Sequence, residues 1–97
     1  MEKYWVYIIY SKQLDRFYTG ATSLLPDERL YQHTNGFYGD KKFTAKASDW
    51  ILYHTIECSS RIQSIKIESH IKKMKSKKYI QNLKIYPEIT NKLLKKY

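Results

Sequence analysis

Residues 3–22 read KYWVYIIYSKQLDRFYTGAT, and this stretch decides the fold. Residues 3–10 and 16–22 are almost continuously β-branched and aromatic, which favours two short strands with well-covered surfaces. The only polar break lies at residues 11–15. The stretch therefore predicts an antiparallel hairpin.

Two tyrosines stand at matching places in the two predicted strands. A turn centred between Lys12 and Gln13 would pair Tyr7 directly with Tyr18, and both hydroxyls would emerge on one face. The alternative is two ordinary strand tyrosines, since the chain has ten tyrosines. The segment alone favours that alternative.

The length and composition fit one domain spanning residues 1–97, with a core large enough to fold alone. The sequence has neither an apolar run of membrane-spanning length nor a signal-peptide pattern, which predicts a soluble, cytoplasmic protein without a membrane partner. The lone Cys58 excludes an internal disulfide and predicts no disulfide-linked partner. The three histidines have no ligand-like spacing, so structural zinc is not expected. The sequence does not indicate an oligomeric state.

The net charge of +9 is unevenly distributed. Residues 1–60 carry seven Lys/Arg and seven Asp/Glu, whereas residues 61–97 carry eleven Lys/Arg and two Asp/Glu. A one-sided basic surface is typical of proteins that bind a polyanion. The alternative is a solvated helical face that the lysines keep soluble.

After the hairpin, Pro26 predicts the start of a helix, because proline suits the first helical position. Arg29 and His33 are four residues apart and share one face of this helix. They form either a phosphate clamp with a hydrogen-bonding imidazole or two exposed polar residues. For an isolated pair the second interpretation is favoured.

The following loop, residues 37–48, combines basic and aromatic residues that are suited to a nucleic-acid backbone and its bases. Its candidate contacts are Lys42, Thr44 and Lys46, and a surface loop anchored by aromatics is the equal alternative. Residues 49–57 predict a third strand, in which His54 has a structural role.

Ser60 and Gln63 have the spacing of a capping box and predict the start of a second helix. Glu68 lies within the apolar arc of this helix, between Ile71 and Ile65. A buried carboxylate costs several kcal/mol unless it is paired or binds a metal. A salt bridge to Lys72 at the rim of the core is the equal alternative.

Ser76 predicts a new helix start, with a third helix through Lys84. Pro87 then separates a short C-terminal helix, from about residue 87, with Ile89 and Leu93 on one side.

Taken together, these residues resemble the GIY-YIG nuclease domain, from Trp5 to about Asn82. The first motif appears as WVY at residues 5–7 and the second as YTG at residues 18–20. Both tyrosines are present, whereas the leading glycine and the middle isoleucine are replaced. Arg29 and His33 match an Arg-x-x-x-His helix, and Glu68 matches a metal-binding glutamate. Thr44 and Lys46 resemble a loop of small stand-alone bacterial members.

The resemblance implies an α+β fold, with a three-stranded antiparallel sheet flanked by helices in the order β-β-α-β-α-α. It implies a metal-dependent DNA endonuclease, structure-selective or weakly sequence-specific, that uses Mg²⁺ or Mn²⁺ and acts on DNA. A role in DNA repair is part of this expectation. The implied catalytic residues are Tyr7, Tyr18, Arg29, His33 and Glu68.

Within this resemblance, Glu68 is the expected metal ligand and Tyr7 the expected general base, with Tyr18 as the alternative base. The expected DNA-binding residues are Lys42, Thr44, Lys46, Lys72, Lys73, Lys75, Lys77 and Lys78. Because the leading glycine of the first motif and the isoleucine of the second are replaced, a catalytically decayed nucleic-acid-binding module or an interaction module of a repair complex remains the alternative.

Overall fold

The computed structural model describes residues 3–23, 25, 26, 28, 31 and 47–97. Three antiparallel strands form one sheet in the order β2-β1-β3: β1 (Tyr4–Ser11), β2 (Arg16–Thr22) and β3 (Ile51–Cys58). Three helices follow the sheet: α1 (Arg61–Met74), α2 (Lys77–Ile85) and α3 (Pro87–Lys96). The predicted α+β fold is confirmed. Between β2 and β3, the described residues Pro26, Glu28 and Tyr31 are helical, as the proline predicted.

The central strand β1 buries both of its faces. Val6 and Ile8 face the helices and form a core with buried residues of all three, among them Ile67 of α1. Tyr7 and Ile9 point to the opposite face and pack with Trp50. These four residues of β1 are at most 1% exposed. The sheet therefore separates two hydrophobic clusters.

The pairing of β1 with β2 differs from the predicted register. Tyr7 lies opposite Gly20, and Tyr18 lies opposite Ile9, so the prediction that Tyr7 faces Tyr18 was wrong by two residues. A slip of two residues keeps every side chain on its own face, because side chains alternate with a period of two. The expectation that both tyrosines share a face is therefore confirmed.

The turn itself explains this register. It spans four residues, with Asp15 in the left-handed region at φ 50° and its N–H bonded to the Lys12 carbonyl at 3.3 Å. Asp49 holds the turn from outside, accepting hydrogen bonds from the Ser11 hydroxyl at 2.6 Å and the Gln13 N–H at 2.8 Å. The hydrogen bond from Ser11 is the main reason that the pKa of Asp49 is below its ordinary value, and the bond from Gln13 is the next.

Polar caps define the helix starts at the positions that the sequence predicted. The Ser60 hydroxyl accepts the Gln63 N–H at 3.1 Å, and the Ser76 hydroxyl accepts the Tyr79 N–H at 3.1 Å. The Gln63 side chain accepts the N–H of Ser59 rather than that of Ser60, and it donates to the Leu94 carbonyl at 3.0 Å. Gln63 thus ties the start of α1 to α3.

Gly20 provides the space that the Tyr7 ring occupies. A Cβ at position 20 would lie 2.7 Å from Cε1 of Tyr7 and closer still to its hydroxyl. In the structure, the group that approaches this glycine is the side chain of Tyr7 from the neighbouring strand.

Replacing Gly20 with alanine is expected to lower the free energy of unfolding by about 1–3 kcal/mol, because the new methyl group must displace the Tyr7 ring or shift β2. Urea unfolding followed by circular dichroism measures this change. The same substitution in a Tyr7→Leu background is the control, because leucine lacks the atoms that approach position 20. An equal loss of stability in both backgrounds would contradict the proposed contact.

Candidate active site

Tyr7 and Tyr18 lie side by side on one face of the sheet. Their ring centroids are 6.5 Å apart, with the rings tilted by 39°. The Tyr7 side chain is fully buried, whereas Tyr18 on the edge strand β2 is half-buried. The Tyr7 ring therefore lies in the interior of the molecule, and the adjoining Tyr18 ring reaches its surface.

At the edge of β2, Tyr18 meets residues of α1. The Lys72 ammonium lies 5.7 Å from the centroid of the Tyr18 ring. The same Nζ lies 3.5 Å from Oε2 of Glu68, one helical turn earlier on α1. Contacts thus link Tyr7 to Tyr18, Tyr18 to Lys72, and Lys72 to Glu68.

Glu68 lies at the rim of the core, and its side chain is 22% exposed. The buried face of α1 is narrower than its apolar pattern predicted, since Ile62 and Ile65 are 66% and 45% exposed. Gln63 and Ser64 take inward positions instead. The salt bridge to Lys72 is present, and the carboxylate remains partly exposed.

A cleft of about 500 Å³ opens next to these residues, between β2 and the junction of α1 with α2. Tyr18, Lys72, Lys75 and Lys77 line it, together with Arg16. A concave, strongly basic surface therefore adjoins the Tyr18–Glu68 edge. Its charge suits a phosphate-bearing ligand.

A family model described as the GIY-YIG catalytic domain matches residues 3–81, which is most of the chain. The chain belongs to the GIY-YIG family. Members of this family are nucleases and generally depend on a divalent metal, so membership implies nuclease activity in general and a nucleic-acid substrate. No curated protein and no solved structure matches the chain.

The structure locates only part of the site expected for a GIY-YIG protein. It brings Tyr18 together with Tyr7, and Glu68 close to Tyr18 through Lys72. Five expected site residues lie outside the described residues: Arg29, His33, Lys42, Thr44 and Lys46. Of the other lysines, Lys73 and Lys78 are exposed on the helices and do not line the cleft.

The third-strand histidine has surroundings that fit the predicted structural role. The Nε2 atom of His54 lies 3.4 Å from the Thr90 hydroxyl of α3. Burial, followed by the nearby charge of Lys84, lowers the pKa of His54. This places the imidazole between β3 and the C-terminal helix.

Two charged residues at the hairpin turn, Asp15 and Arg16, were not identified from the sequence. Asp15 accepts a hydrogen bond from the Lys77 ammonium at 2.8 Å and another from the Tyr10 hydroxyl at 2.8 Å. Arg16, the next residue, lines the cleft. Both residues lie within or beside a polar turn, and no spacing rule connects that turn to α2, 62 residues later.

These bonds set the protonation of Asp15. The hydrogen bond from Lys77, followed by the one from Tyr10, lowers the pKa of Asp15, and the same Asp15 bond raises the pKa of Tyr10. A carboxyl group whose pKa is lowered by folding stabilises the protein at pH values above its unfolded-state pKa of about 3.9. This stabilisation is lost as the pH falls through the folded-state pKa. The pair is therefore intact at neutral pH.

Asp15→Asn is expected to strengthen nucleic-acid binding, because Lys77 becomes available to a phosphate. The slope of log affinity against log salt should become steeper by up to about 0.9 for duplex DNA. A salt titration with a fluorescent duplex in the presence of a chelator measures it. Glu57→Gln is the control, since it releases Lys3 from a comparable exposed ion pair of 3.0 Å. A slope equal to that of the control would show that Lys77 contacts no phosphate.

Proposed function

We propose that this GIY-YIG protein is a metal-dependent DNA endonuclease that hydrolyses phosphodiester bonds with structure selectivity or weak sequence specificity. The observation that supports it is the meeting of Tyr18, Lys72 and Glu68 at the β2 edge, beside a basic cleft. For metal-assisted phosphodiester hydrolysis, a tyrosine hydroxyl can take part in proton transfer, a cation can stabilise phosphate charge, and a carboxylate can bind the metal.

Glu68 suits a metal ion that keeps most of its water. Mg²⁺ is usually bound through one or two carboxylates together with waters and substrate phosphate, and Mn²⁺ accepts similar ligands. In the part of the chain that the structure describes, no group of three His, Cys, Asp or Glu residues could hold a metal. We assign Glu68 as the residue that would hold Mg²⁺ or Mn²⁺, because it matches the metal-binding glutamate of the family motif and its carboxylate is partly exposed. When bound, the ion stabilises negative charge on the phosphate and the leaving oxygen.

The two tyrosines are proposed to share the proton chemistry. Tyr7 is assigned as the general base, with Tyr18 as the alternative base and otherwise the residue that orients the attacking water or the phosphate. A phenol with an ordinary pKa near 10 is a weak base unless nearby positive charge lowers that value. Arg29, His33 and a bound metal ion would supply that charge near Tyr7, and the Tyr18 ring contacts Tyr7.

The remaining roles rest on the family motif. Arg29 is proposed to hold a non-bridging phosphate oxygen, because a guanidinium binds phosphate through two hydrogen bonds. His33, which belongs to the same Arg-x-x-x-His motif, would act beside it. The DNA-backbone contacts are assigned to Lys42, Thr44, Lys46, Lys72, Lys73, Lys75, Lys77 and Lys78.

A second candidate is a nucleic-acid-binding module, or a repair-complex module, whose catalysis has decayed. The replaced residues of the two name-giving motifs and the full burial of Tyr7 favour it. Incubation of plasmid, flap, junction and single-stranded DNA with Mg²⁺ or Mn²⁺ separates the two candidates. Cleavage that a chelator abolishes supports the endonuclease, whereas salt-sensitive binding without cleavage of any substrate supports the second candidate.

Glu68→Gln is expected to abolish metal-dependent cleavage and to change the free energy of unfolding by less than about 0.5 kcal/mol, because a partly exposed i,i+4 salt bridge contributes little. Gel-based cleavage assays and urea unfolding measure the two effects. Glu57→Gln is the matched control, since Glu57 also forms a salt bridge but lies away from the cleft. Retained cleavage together with a clear loss of stability would make Glu68 a structural residue only.

Tyr7→Phe and Tyr18→Phe should each retain the native fold, since only a hydroxyl group is removed. Each should slow cleavage, and loss of the acid–base group should lower the rate by roughly 10²–10⁴-fold. The larger loss and a shifted pH–rate profile are expected for Tyr7→Phe. Tyr53→Phe on β3 is the control for removal of a half-buried phenol. Unchanged rates in both site variants would overturn the catalytic assignment of the tyrosines.

A further inference from the structure

The cleft beside Tyr18 has an apolar floor. Ile71 is 2% exposed, and Phe17 and Ile80 are half-buried. These groups come from β2 on one side and from α1 and α2 on the other. A surface that only followed the phosphates of a duplex would not need such a floor, because phosphate contacts require cations and polar groups.

The walls of the cleft carry four cations, which differ in their partners. Lys72 pairs with Glu68, and Lys77 pairs with Asp15. Within the described residues, Arg16 and Lys75 form no ion pair, although the charge of Arg16 contributes to the lowered pKa of Asp15. Both are exposed and therefore available to a phosphate.

The backbone holds Lys75 in a defined position. This residue ends α1 in the left-handed conformation, with φ 47° and ψ 42°, and its N–H donates to the Lys72 carbonyl at 3.3 Å. Ser76 follows at once as the cap of α2. The Lys75 side chain thus leaves from a sharp corner between two helices, opposite β2.

The size of the cleft limits the ligand. A volume of about 500 Å³ falls within the range of small-molecule pockets, roughly 300–1,000 Å³, and a single nucleotide is a ligand of that class. A paired base is stacked inside its duplex and must leave the stack before it can enter a pocket. The cleft can therefore receive a base only from an unpaired position.

We propose that this cleft binds one unpaired nucleotide of the nucleic-acid substrate, with the base on the apolar floor and its phosphate at Arg16 and Lys75. Because Tyr18 also lines the cleft, this nucleotide would adjoin the reacting phosphate, and that placement rests on the proposed function. The binding itself does not depend on catalysis. The proposal assigns a binding role to Arg16 and predicts a preference for DNA with unpaired bases.

The test compares the affinity for a short fluorescent single strand with that for the blunt duplex of the same sequence, in a chelator. Arg16→Gln combined with Lys75→Gly removes the charges of Arg16 and Lys75, and glycine readily adopts the left-handed conformation of residue 75. This double variant should reduce the salt slope of single-strand binding by roughly 0.7 for each phosphate that the variant no longer binds. Lys92→Gln with Lys95→Gln, on α3, is the control with an equal change of charge.

A second variant tests the floor without changing the charge. Ile80→Gln should weaken single-strand binding roughly 5-fold, because the bound base loses its apolar contact with this side chain, and should leave duplex binding close to that of the parent. Circular dichroism verifies the native fold.

Three results would overturn the proposal. The first is an equal loss of affinity for the single strand and for the duplex in the double variant. The second is a double variant whose affinities equal those of the α3 control variant. The third is a folded Ile80→Gln variant with the parent's affinity for the single strand. Absence of cleavage alongside the expected binding changes would refute the endonuclease and leave the cleft assignment standing.

Discussion

The constraint on which the rest of the structure depends is the burial of β1 on both faces. Val6 and Ile8 supply the core beneath the helices, while Tyr7 and Ile9 supply the cluster on the other face. A slip of one residue would exchange these two sets and place the tyrosine among the helices. The strand therefore fixes, in one step, where α1 packs and on which face Tyr7 lies.

Much of the fold could be predicted from the sequence, because its signals are local. The β-branched and aromatic runs predicted β1 and β2, and the capping serines predicted the starts of α1 and α2. The register of the hairpin was wrong because its determinants are not local. Asp49, which holds the turn, lies 38 residues beyond Ser11, and nothing in the turn sequence indicates that contact.

The family motif names the candidate site residues, whereas their surroundings depend on tertiary packing. The motif names Tyr18 and Glu68, and in the structure Lys72 contacts both of them. The narrow buried face of α1 was missed, because the apolar residues Ile62 and Ile65 face outward while Gln63 bonds into α3. A hydrophobic pattern ranks residues by polarity, and it misplaces a polar side chain that finds its hydrogen-bond partners in the interior.

The pairing of charges around the cleft separates two electrostatic roles. Lys72 is shared between the Glu68 carboxylate and the Tyr18 ring, so its charge stabilises the arrangement of the candidate active site. Lys77 is held by Asp15 at the hairpin turn and links β2's start to α2. Arg16 and Lys75 form no salt bridge with the described residues, so a ligand phosphate need not compete with such a carboxylate for them. Because a neighbouring carboxylate offsets part of a cation's attraction for a phosphate, we expect phosphate affinity to concentrate at Arg16 and Lys75.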